Sequence, residues 1–194
     1  MADLSQTPMV QGKVTWLRAM EKRDLDTFYN GRNDLRIGYE AGYYFPDSMM
    51  SLERWCENLM SERHGKDGFY FTICRQGSDE SLGAAWLWHL NYKDGNAEFS
   101  IFLSDTELMG KGLGTDALNA ILDFGFNNLP LERIYLTVRA GSKGAIRCYE
   151  KAGMIVEGTL RKSERYHGKL VDQVLMSILR DEWEKPDRNL VETT

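Results

Sequence analysis

Three short runs rich in aromatic and β-branched residues follow one another between residues 69 and 103, and they constrain the fold more than any other feature of the sequence. The connections between them are short and carry glycine and aspartate, which favour tight turns. Strands joined in this way pair in antiparallel order, so the segment predicts a three-stranded meander. The three runs are FYFTICR (69–75), SLGAAWLWHL (81–90) and AEFSIFL (97–103).

Helical and strand patterns on both sides of the meander predict the rest of the architecture. On its N-terminal side we expect a strand at 12–20, a helix capped by Asp24, a loop at 37–50 and a helix capped by Ser51. On its C-terminal side we expect a helix at 115–128, a strand at 133–138, a helix at 145–153, and strands at 154–162 and 170–179 around the polar connection SERYHGK. This order predicts an α+β fold, with helices against a central mixed, mostly antiparallel sheet of about seven strands. One domain is expected over residues 12–184, between a leader at 1–11 and a tail at 185–194.

Charge and composition exclude several classes of protein. The chain has 24 Lys and Arg against 29 Asp and Glu, a net charge of −5 without a basic block, so nucleic acid is not expected as a partner. It has no apolar run long enough to cross a membrane and no signal-peptide pattern. Three widely spaced cysteines suit a reducing cytoplasm. The histidines His64, His89 and His167 show no ligand spacing, so no metal site is expected.

The most informative motif is the glycine-rich turn MGKGLGT (109–115), which lies between a strand and a helix N-terminus. Glycines at this place let successive backbone N–H groups point into one concavity, and the helix dipole adds partial positive charge. Such a turn binds anions, and a phosphate or pyrophosphate suits it best. A tight turn that merely needs positive φ angles explains the same glycines and stays open as an alternative.

Two nucleotide-binding motifs do not fit this turn. A P-loop needs Ser or Thr directly after Gly-Lys, and here Gly112 follows Lys111. A dinucleotide fingerprint needs a third glycine five residues after the first, where this sequence has Thr115 or Ala117 instead. The turn also follows an antiparallel meander rather than opening a parallel βαβ unit.

A second motif, AIRCYEKAGM (145–154), follows about one strand after the glycine-rich turn. The two motifs together, at this separation, resemble the GNAT superfamily of acyl-CoA-dependent N-acetyltransferases. The opening and closing segments of the chain resemble the RimJ/RimL branch, which acetylates ribosomal-protein alanine. Two positions depart from the family pattern: Met109 replaces a Gln or Arg, and Ser142 replaces an Asn, which reaches further than serine.

The resemblance implies a binding site for acetyl-CoA. In the family the sheet splays after the strand that corresponds to AEFSIFL, and the pantetheine arm lies in the gap, which assigns main-chain contacts to Ile101, Phe102 and Leu103. Ser142 and Ala145 belong to the second motif and are expected near the cofactor. The pyrophosphate is expected on the amides of the turn, which comprises Met109, Gly110, Lys111, Gly112, Leu113, Gly114 and Thr115.

The resemblance also implies catalytic residues. Tyr149 is expected to be the general acid that protonates the leaving thiolate, with a half-buried helical aromatic as the alternative. Glu98 is expected to be the general base that deprotonates the amine; a water chain is an alternative base, and a salt bridge at the sheet edge is an alternative role for Glu98. The aromatic loop that contains Tyr39, Tyr43 and Tyr44 either roofs the acceptor side or covers the core.

The expected activity is transfer of an acetyl group from acetyl-CoA to a primary amine by direct attack in a ternary complex. The acceptor is a protein N-terminus, a polyamine, an amino sugar or an antibiotic amine, and fold-level resemblance does not choose among them. A non-catalytic acyl-CoA-binding sensor on the same fold is the alternative function. A homodimer is a possible assembly.

Overall fold

The computed structural model describes residues 10–183, which form eight strands and six α-helices. The strands are β1 (Val10–Gln11), β2 (Thr15–Ala19), β3 (Gly68–Arg75), β4 (Ser81–Asn91), β5 (Asn96–Leu103), β6 (Arg133–Arg139), β7 (Ile155–Tyr166) and β8 (Lys169–Leu179). The helices are α1 (Leu25–Asn33), α2 (Leu35–Gly38), α3 (Met49–Asn58), α4 (Leu113–Asn128), α5 (Lys143–Lys151) and α6 (Arg180–Trp183). Among residues 10–183, no helix has the length and apolar character needed to cross a membrane.

All eight strands belong to one sheet in the order β1-β2-β3-β4-β5-β6-β8-β7. The predicted meander is confirmed, since β3 pairs antiparallel with β4 and β4 pairs antiparallel with β5. The pair β5–β6 is parallel, and the other neighbouring pairs are antiparallel. The prediction of a mixed, mostly antiparallel sheet flanked by helices is therefore confirmed, with eight strands where about seven were expected.

Helices cover both faces of the sheet because successive side chains of a strand point to opposite faces. Along β5, Ala97 and Phe99 pack into a core with α4, whereas Phe102 packs into a second cluster with α1 and α3. The neighbouring strand β4 divides in the same way, with Leu87 in the first cluster and Ala84 in the second. We call these the α4 face and the α1–α3 face.

The N-terminal third differs from the prediction in three places. Residues 10 and 11, placed in the leader, form β1 and pair with β2, while residues 1–9 and the predicted tail 185–194 lie outside the described residues. The loop predicted at 37–50 contains the end of α2. Helix α3 begins two residues before Ser51, because Ser48 is its N-cap and forms a reciprocal capping box with Ser51.

The connection predicted at 163–169 is wrong, because most of these residues are paired. Strand β7 continues to Tyr166 and β8 begins at Lys169, so the turn is reduced to His167 and Gly168. Both turn residues have positive φ angles, +45° and +77°, which suits a two-residue hairpin turn. The polar character of this segment reflects an exposed hairpin rather than a loop.

Candidate active site

The sheet splays apart between β5 and β6. These strands pair only from Asn96 to Glu98, opposite Arg133 to Tyr135. Beyond Glu98 the edge of β5 that faces β6 has no strand partner among residues 10–183, although the other edge stays paired with β4 as far as Leu103. The result is a gap with its vertex at Glu98 and an open edge of peptide groups along one side.

The hydrogen bonds to β4 decide which peptide groups of β5 face the gap. The Ser104 N–H donates to the Leu82 carbonyl at 3.0 Å across the β4–β5 pair. Main-chain groups alternate between the two edges of an antiparallel strand, so those of Ile101 and Leu103 face the gap and those of Phe102 face β4. Phe102 was predicted to offer its main chain to the cofactor; its main-chain groups lie on the edge that pairs with β4, and the contact stays a prediction. The side chain of Phe102 is buried on the α1–α3 face.

The glycine-rich turn forms an open nest of amides at the N-terminus of α4. Gly110 and Gly112 have φ angles of +72° and +82°, and Gly112 is the N-cap of the helix without a side-chain capping bond. Within residues 10–183, the N–H groups from Gly110 to Thr115 have no hydrogen-bond acceptor. A Cβ atom added at either glycine would meet nothing within 4 Å, so the space before these amides is open. Six free donors at the end of a 16-residue helix fit a pyrophosphate.

Met109 does not contribute an amide to this nest. Its N–H already donates to the Thr106 carbonyl at 3.0 Å, which closes a short 3₁₀ turn at Thr106–Leu108. The motif suggested a nest that begins at Met109. In the structure the nest begins at Gly110.

Asp116 fixes the first turn of α4 and was not singled out by the sequence. Its carboxylate accepts hydrogen bonds from the N–H groups of Lys13, Val14 and Thr15 at 2.9, 3.0 and 2.8 Å, and from the Thr15 hydroxyl at 2.7 Å. Partial burial acts to raise the pKa of Asp116, but these hydrogen bonds lower it overall. The Asp116 carboxylate is thus held by the residues at and just before the start of β2, and its negative charge is directed away from the amide nest.

Tyr149 lies on α5, on the α4 face of the sheet. Its ring meets the ring of Phe99 edge-on, with centroids 6.4 Å apart, just beyond the vertex of the gap. Burial, with a smaller contribution from Cys148, raises the pKa of Tyr149 well above its usual range. Its hydroxyl makes no hydrogen bond to another of the described residues. A protonated hydroxyl beside the gap is suited to donate a proton.

Glu98 lies at the vertex itself, on the α1–α3 face. Its side chain is 19% exposed, and Oε2 is 3.0 Å from Nδ1 of His89 on β4. Across the gap it is in register with Tyr135 of β6, whose pKa is raised by burial and then by the charge of Glu98. The sequence offered a catalytic base or a salt bridge at the sheet edge, and the structure shows that Glu98 has a histidine partner.

The second motif lies at the start of α5. Ser142 is the N-cap of this helix, and its hydroxyl is 3.5 Å from the Glu40 carboxylate. Ala145 is half-buried in the first turn. Among residues 10–183, no three or more His, Cys, Asp or Glu side chains are grouped so that they could hold a metal ion. The expectation from the sequence that the reaction needs no metal stays a prediction.

A cluster of charged and aromatic side chains joins the aromatic loop to the β7–β8 hairpin. The buried Arg139 guanidinium lies 2.8 Å from Glu40, 2.9 Å from Glu164 and 4.2 Å from the centre of the Tyr166 ring. Tyr166 donates its hydroxyl to Glu40 at 2.5 Å, and Tyr44 donates to Glu164. Two carboxylates for one guanidinium leave the cluster with a net negative charge.

The position of the loop follows from these contacts. Tyr39 stacks on His167 at the hairpin turn, with ring centroids 4.3 Å apart, and Tyr43 packs against Phe102. The loop thus lies on the same face as Glu98 and reaches both the core and the hairpin. No local pattern could have revealed this, because Glu40 and Arg139 are 99 residues apart in the chain.

Comparison with known proteins gives a consistent result. Residues 15–155 match the sequence family described as an acetyltransferase (GNAT) domain. A spermidine N(1)-acetyltransferase of Vibrio cholerae is 29% identical over 167 residues, which cover 86% of this chain and 94% of the relative. A putative ribosomal N-acetyltransferase of Bacillus subtilis is 28% identical and covers 87% of this chain and 92% of the relative. Among solved structures, a spermidine N-acetyltransferase of Vibrio cholerae in complex with CoA and spermine superposes with a TM-score of 0.76, at 28% identity, over 87% of this chain and 97% of that one.

Proposed function

This chain belongs to the GNAT family and is an acetyl-CoA-dependent N-acetyltransferase, and from that premise we propose that its acceptor is a primary amino group of a polyamine. Acetyl-CoA supplies the acyl group as a thioester. The amides from Gly110 to Thr115 are proposed to bind its pyrophosphate, and the peptide groups of Ile101 and Leu103 its pantetheine arm. Ser142 and Ala145 are proposed to border the arm from α5.

The two catalytic residues are proposed to act from opposite faces of β5. A primary amine is an ammonium ion at neutral pH and becomes nucleophilic only after it loses a proton, which Glu98 accepts directly or through a water. The amine then attacks the thioester carbonyl, and a peptide N–H of β5 that faces the gap stabilises the oxyanion. As the carbon–sulfur bond breaks, Tyr149 donates its hydroxyl proton to the departing thiolate, and the second proton lost by the attacking nitrogen restores the tyrosine hydroxyl, so the products are the amide, CoA and a protonated Glu98.

The observation that carries the choice of acceptor is a set of carboxylates on the α1–α3 face, where we propose that the amine enters. Glu98 lies at the vertex, and the Glu40–Arg139–Glu164 cluster at the edge of the same face has one more negative than positive charge. Carboxylates at two places on one face suit a chain with several ammonium groups. The relatives named as spermidine acetyltransferases, and the neighbour with bound spermine, support the same substrate class.

A competing acceptor is the N-terminal amine of a ribosomal protein, as the RimJ/RimL resemblance implies. The putative ribosomal acetyltransferase among the relatives favours it. The experiment is CoA release by the full chain with spermidine, spermine, an alanine-terminated peptide and an aminoglycoside. A kcat/KM for the polyamines about tenfold above the others, roughly 1.4 kcal/mol of selectivity, is expected. A peptide or aminoglycoside that is turned over faster than both polyamines contradicts the proposal.

We also propose a cytoplasmic homodimer with one domain, in which β1 at residues 10 and 11 is added to the predicted range 12–184. The three cysteines are free, as a reducing compartment requires. Strand β7 is an edge of the sheet, and it exposes Ile155, Val156 and Leu160 by 52%, 48% and 42%. An apolar edge strand of this kind is suited to pair with a second copy. Light scattering of Val156→Lys tests this proposal: a monomer is expected, and a mass equal to that of a wild-type dimer contradicts it.

A further inference from the structure

His89 occupies a β-bulge beside the vertex of the gap. Between the pairs Trp88–Glu98 and Asn91–Asn96, two residues of β4, His89 and Leu90, lie opposite one residue of β5. A bulge of this kind bends the strand and redirects a side chain, and bulges are enriched next to active sites. His89 also has a φ of +49°, a left-handed conformation that residues other than glycine seldom adopt.

The bulge places two successive side chains on one side of the sheet. In a regular strand Trp88 and His89 would point to opposite faces. Here the His89 ring is stacked on the Trp88 ring, with centroids 4.2 Å apart and planes at 17°. The Leu90 N–H donates to the Asp67 carbonyl at 3.2 Å and holds the strand after the bulge. This arrangement brings Nδ1 of His89 to 3.0 Å from Oε2 of Glu98, although the histidine is 56% exposed.

We propose that His89 is a positioning residue for the proton acceptor Glu98, an inference that rests on the proposed function. His89 donates its Nδ1–H to Oε2 of Glu98 and thereby fixes the carboxylate, which leaves Oε1 directed to the acceptor. One proton passes from the ammonium group to Oε1, giving a neutral amine and a carboxylic acid. The strained backbone at residue 89 is retained because it directs the ring to this carboxylate.

The test compares variants that separate the side chain from the backbone. His89→Gly keeps the left-handed conformation and removes the donor, whereas His89→Asn tolerates that conformation and places an amide donor at the position of Nδ1. Lys162→Gly is the matched control, since Lys162 has a φ of +52° on β7, away from the vertex. Steady-state CoA release is measured with the amine that the wild type acetylates fastest, so an incorrect choice of polyamine does not affect the comparison.

We expect kcat of His89→Gly to fall about tenfold, with KM for the amine within about threefold of wild type, and His89→Asn to recover most of the loss. The control is expected to match the wild type. A wild-type kcat for His89→Gly, or an equal loss in the Gly and Asn variants, overturns the proposal.

A double-mutant cycle with Glu98→Gln separates this inference from the proposed function. We expect His89→Gly to cause no further loss of kcat when it is added to the Glu98→Gln variant, because the effect of the histidine passes through the carboxylate. If Glu98→Gln has a lowered kcat and His89→Gly is fully active, the inference on His89 fails alone. If Glu98→Gln retains wild-type kcat, the proposed base fails, and the role of His89 fails with it.

Nitrogen NMR of His89 gives a readout that does not depend on turnover. The wild type is expected to carry its proton on Nδ1, and Glu98→Gln to shift the tautomer towards Nε2. A wild-type ring protonated on Nε2 and unprotonated on Nδ1 contradicts the proposed hydrogen bond.

Discussion

At the scale of single residues, Tyr149 and Glu98 differ in their surroundings as their two proposed tasks require. Tyr149 packs against Phe99 on an apolar face, and burial raises its pKa, which suits the proposed general acid. Glu98 is paired with His89 at the vertex of the gap. A general acid needs the first environment and a general base the second. Strand β5 separates the two, because Glu98 and the Phe99 ring that contacts Tyr149 point to opposite faces.

Replacement of Tyr149 by phenylalanine tests the acid directly. We expect kcat to fall about a hundredfold, the usual range for loss of a general acid, with little change in KM for either substrate. Because the pKa of Tyr149 is raised above the ordinary tyrosine value, we expect the wild-type rate to show no loss from ionisation of this residue near pH 10.

Steady-state CoA release as a function of pH measures both effects. Tyr92→Phe is the matched control, since Tyr92 is 46% exposed in the turn between β4 and β5. A Tyr149→Phe variant with the kcat of this control would remove the residue from the mechanism.

The resemblance to the GNAT family predicted these two residues, because each lies in a segment that matches the family pattern. Local reasoning missed the role of His89, since regular alternation places its side chain on the face opposite Trp88 and only the bulge reverses this. Arg139 and Glu164 were missed for another reason. They lie on β6 and β7, 25 residues apart, and meet only because the sheet brings these strands close together, so the contact leaves no periodic signal.

At the scale of elements, the junction of the glycine-rich turn with α4 is expected to determine cofactor affinity. Gly112→Ala forces a side chain into a φ of +82° and distorts the amide nest, although the added Cβ itself meets no atom. Gly77→Ala is a matched control at φ +76°, equally open but in the turn between β3 and β4.

Both variants are expected to lose about 1 kcal/mol of stability from the strained conformation. Gly112→Ala alone is expected to weaken acetyl-CoA binding about tenfold, the effect of one lost hydrogen bond to a charged group. Calorimetric titration and thermal unfolding measure the two quantities. Equal affinity of the two variants for acetyl-CoA would argue against a pyrophosphate site at this turn.

Glu157 on β7 forms an ion pair with Arg133 on β6, and this contact makes the stability of the folded chain dependent on pH. Its carboxylate accepts hydrogen bonds from both terminal nitrogens of Arg133 and from the Ser177 hydroxyl, which together lower the pKa of Glu157 to about 2. A carboxyl group with a lowered pKa stabilises the folded state above its unfolded pKa of about 4.3, and this stabilisation is lost as the pH falls towards the folded value.

We therefore expect Glu157→Gln to unfold at a lower temperature than the wild type at pH 7, and the difference to shrink between about pH 4.3 and pH 2. Thermal unfolding over this range measures the difference. The exposed Glu53→Gln is the control and is expected to follow the wild type at every pH. A Glu157→Gln deficit that does not vary with pH would show that packing, rather than charge, accounts for the contact.

Element boundaries show where the sequence was sufficient. The meander and α4 were predicted well, since each carries a strong period and clear turn residues. Strand β1 was missed because two residues are too short for any period, and they are a strand only through pairing with β2. The sequence predicted an end of β7 at residue 162, four residues before its end in the structure. The polar residues of this hairpin lie on an exposed edge, where side-chain alternation gives no apolar signal.

At the scale of the whole molecule, the net charge of −5 favours a cationic substrate before any contact forms. A protein with excess negative charge attracts polycations over a distance set by the salt concentration, about 10 Å at 0.1 M. The α1–α3 face adds the net negative charge of the Glu40–Arg139–Glu164 cluster to this field. Rates with polyamines should therefore depend on salt more strongly than rates with singly charged amines.

We expect kcat/KM for spermine to fall about tenfold between roughly 0.05 and 0.5 M salt, and kcat/KM for a primary monoamine to change less than about twofold, because several charges are screened in one case and one in the other. Initial rates at low substrate concentration measure both. Since the two reactions use the same acetyl-CoA site, any effect of salt on cofactor binding appears equally in each and cancels in their ratio. A ratio that stays constant with salt would mean that the enzyme recognises the acceptor by short-range contacts at the vertex. The Glu40–Arg139–Glu164 cluster would then have no part in selecting a polyamine.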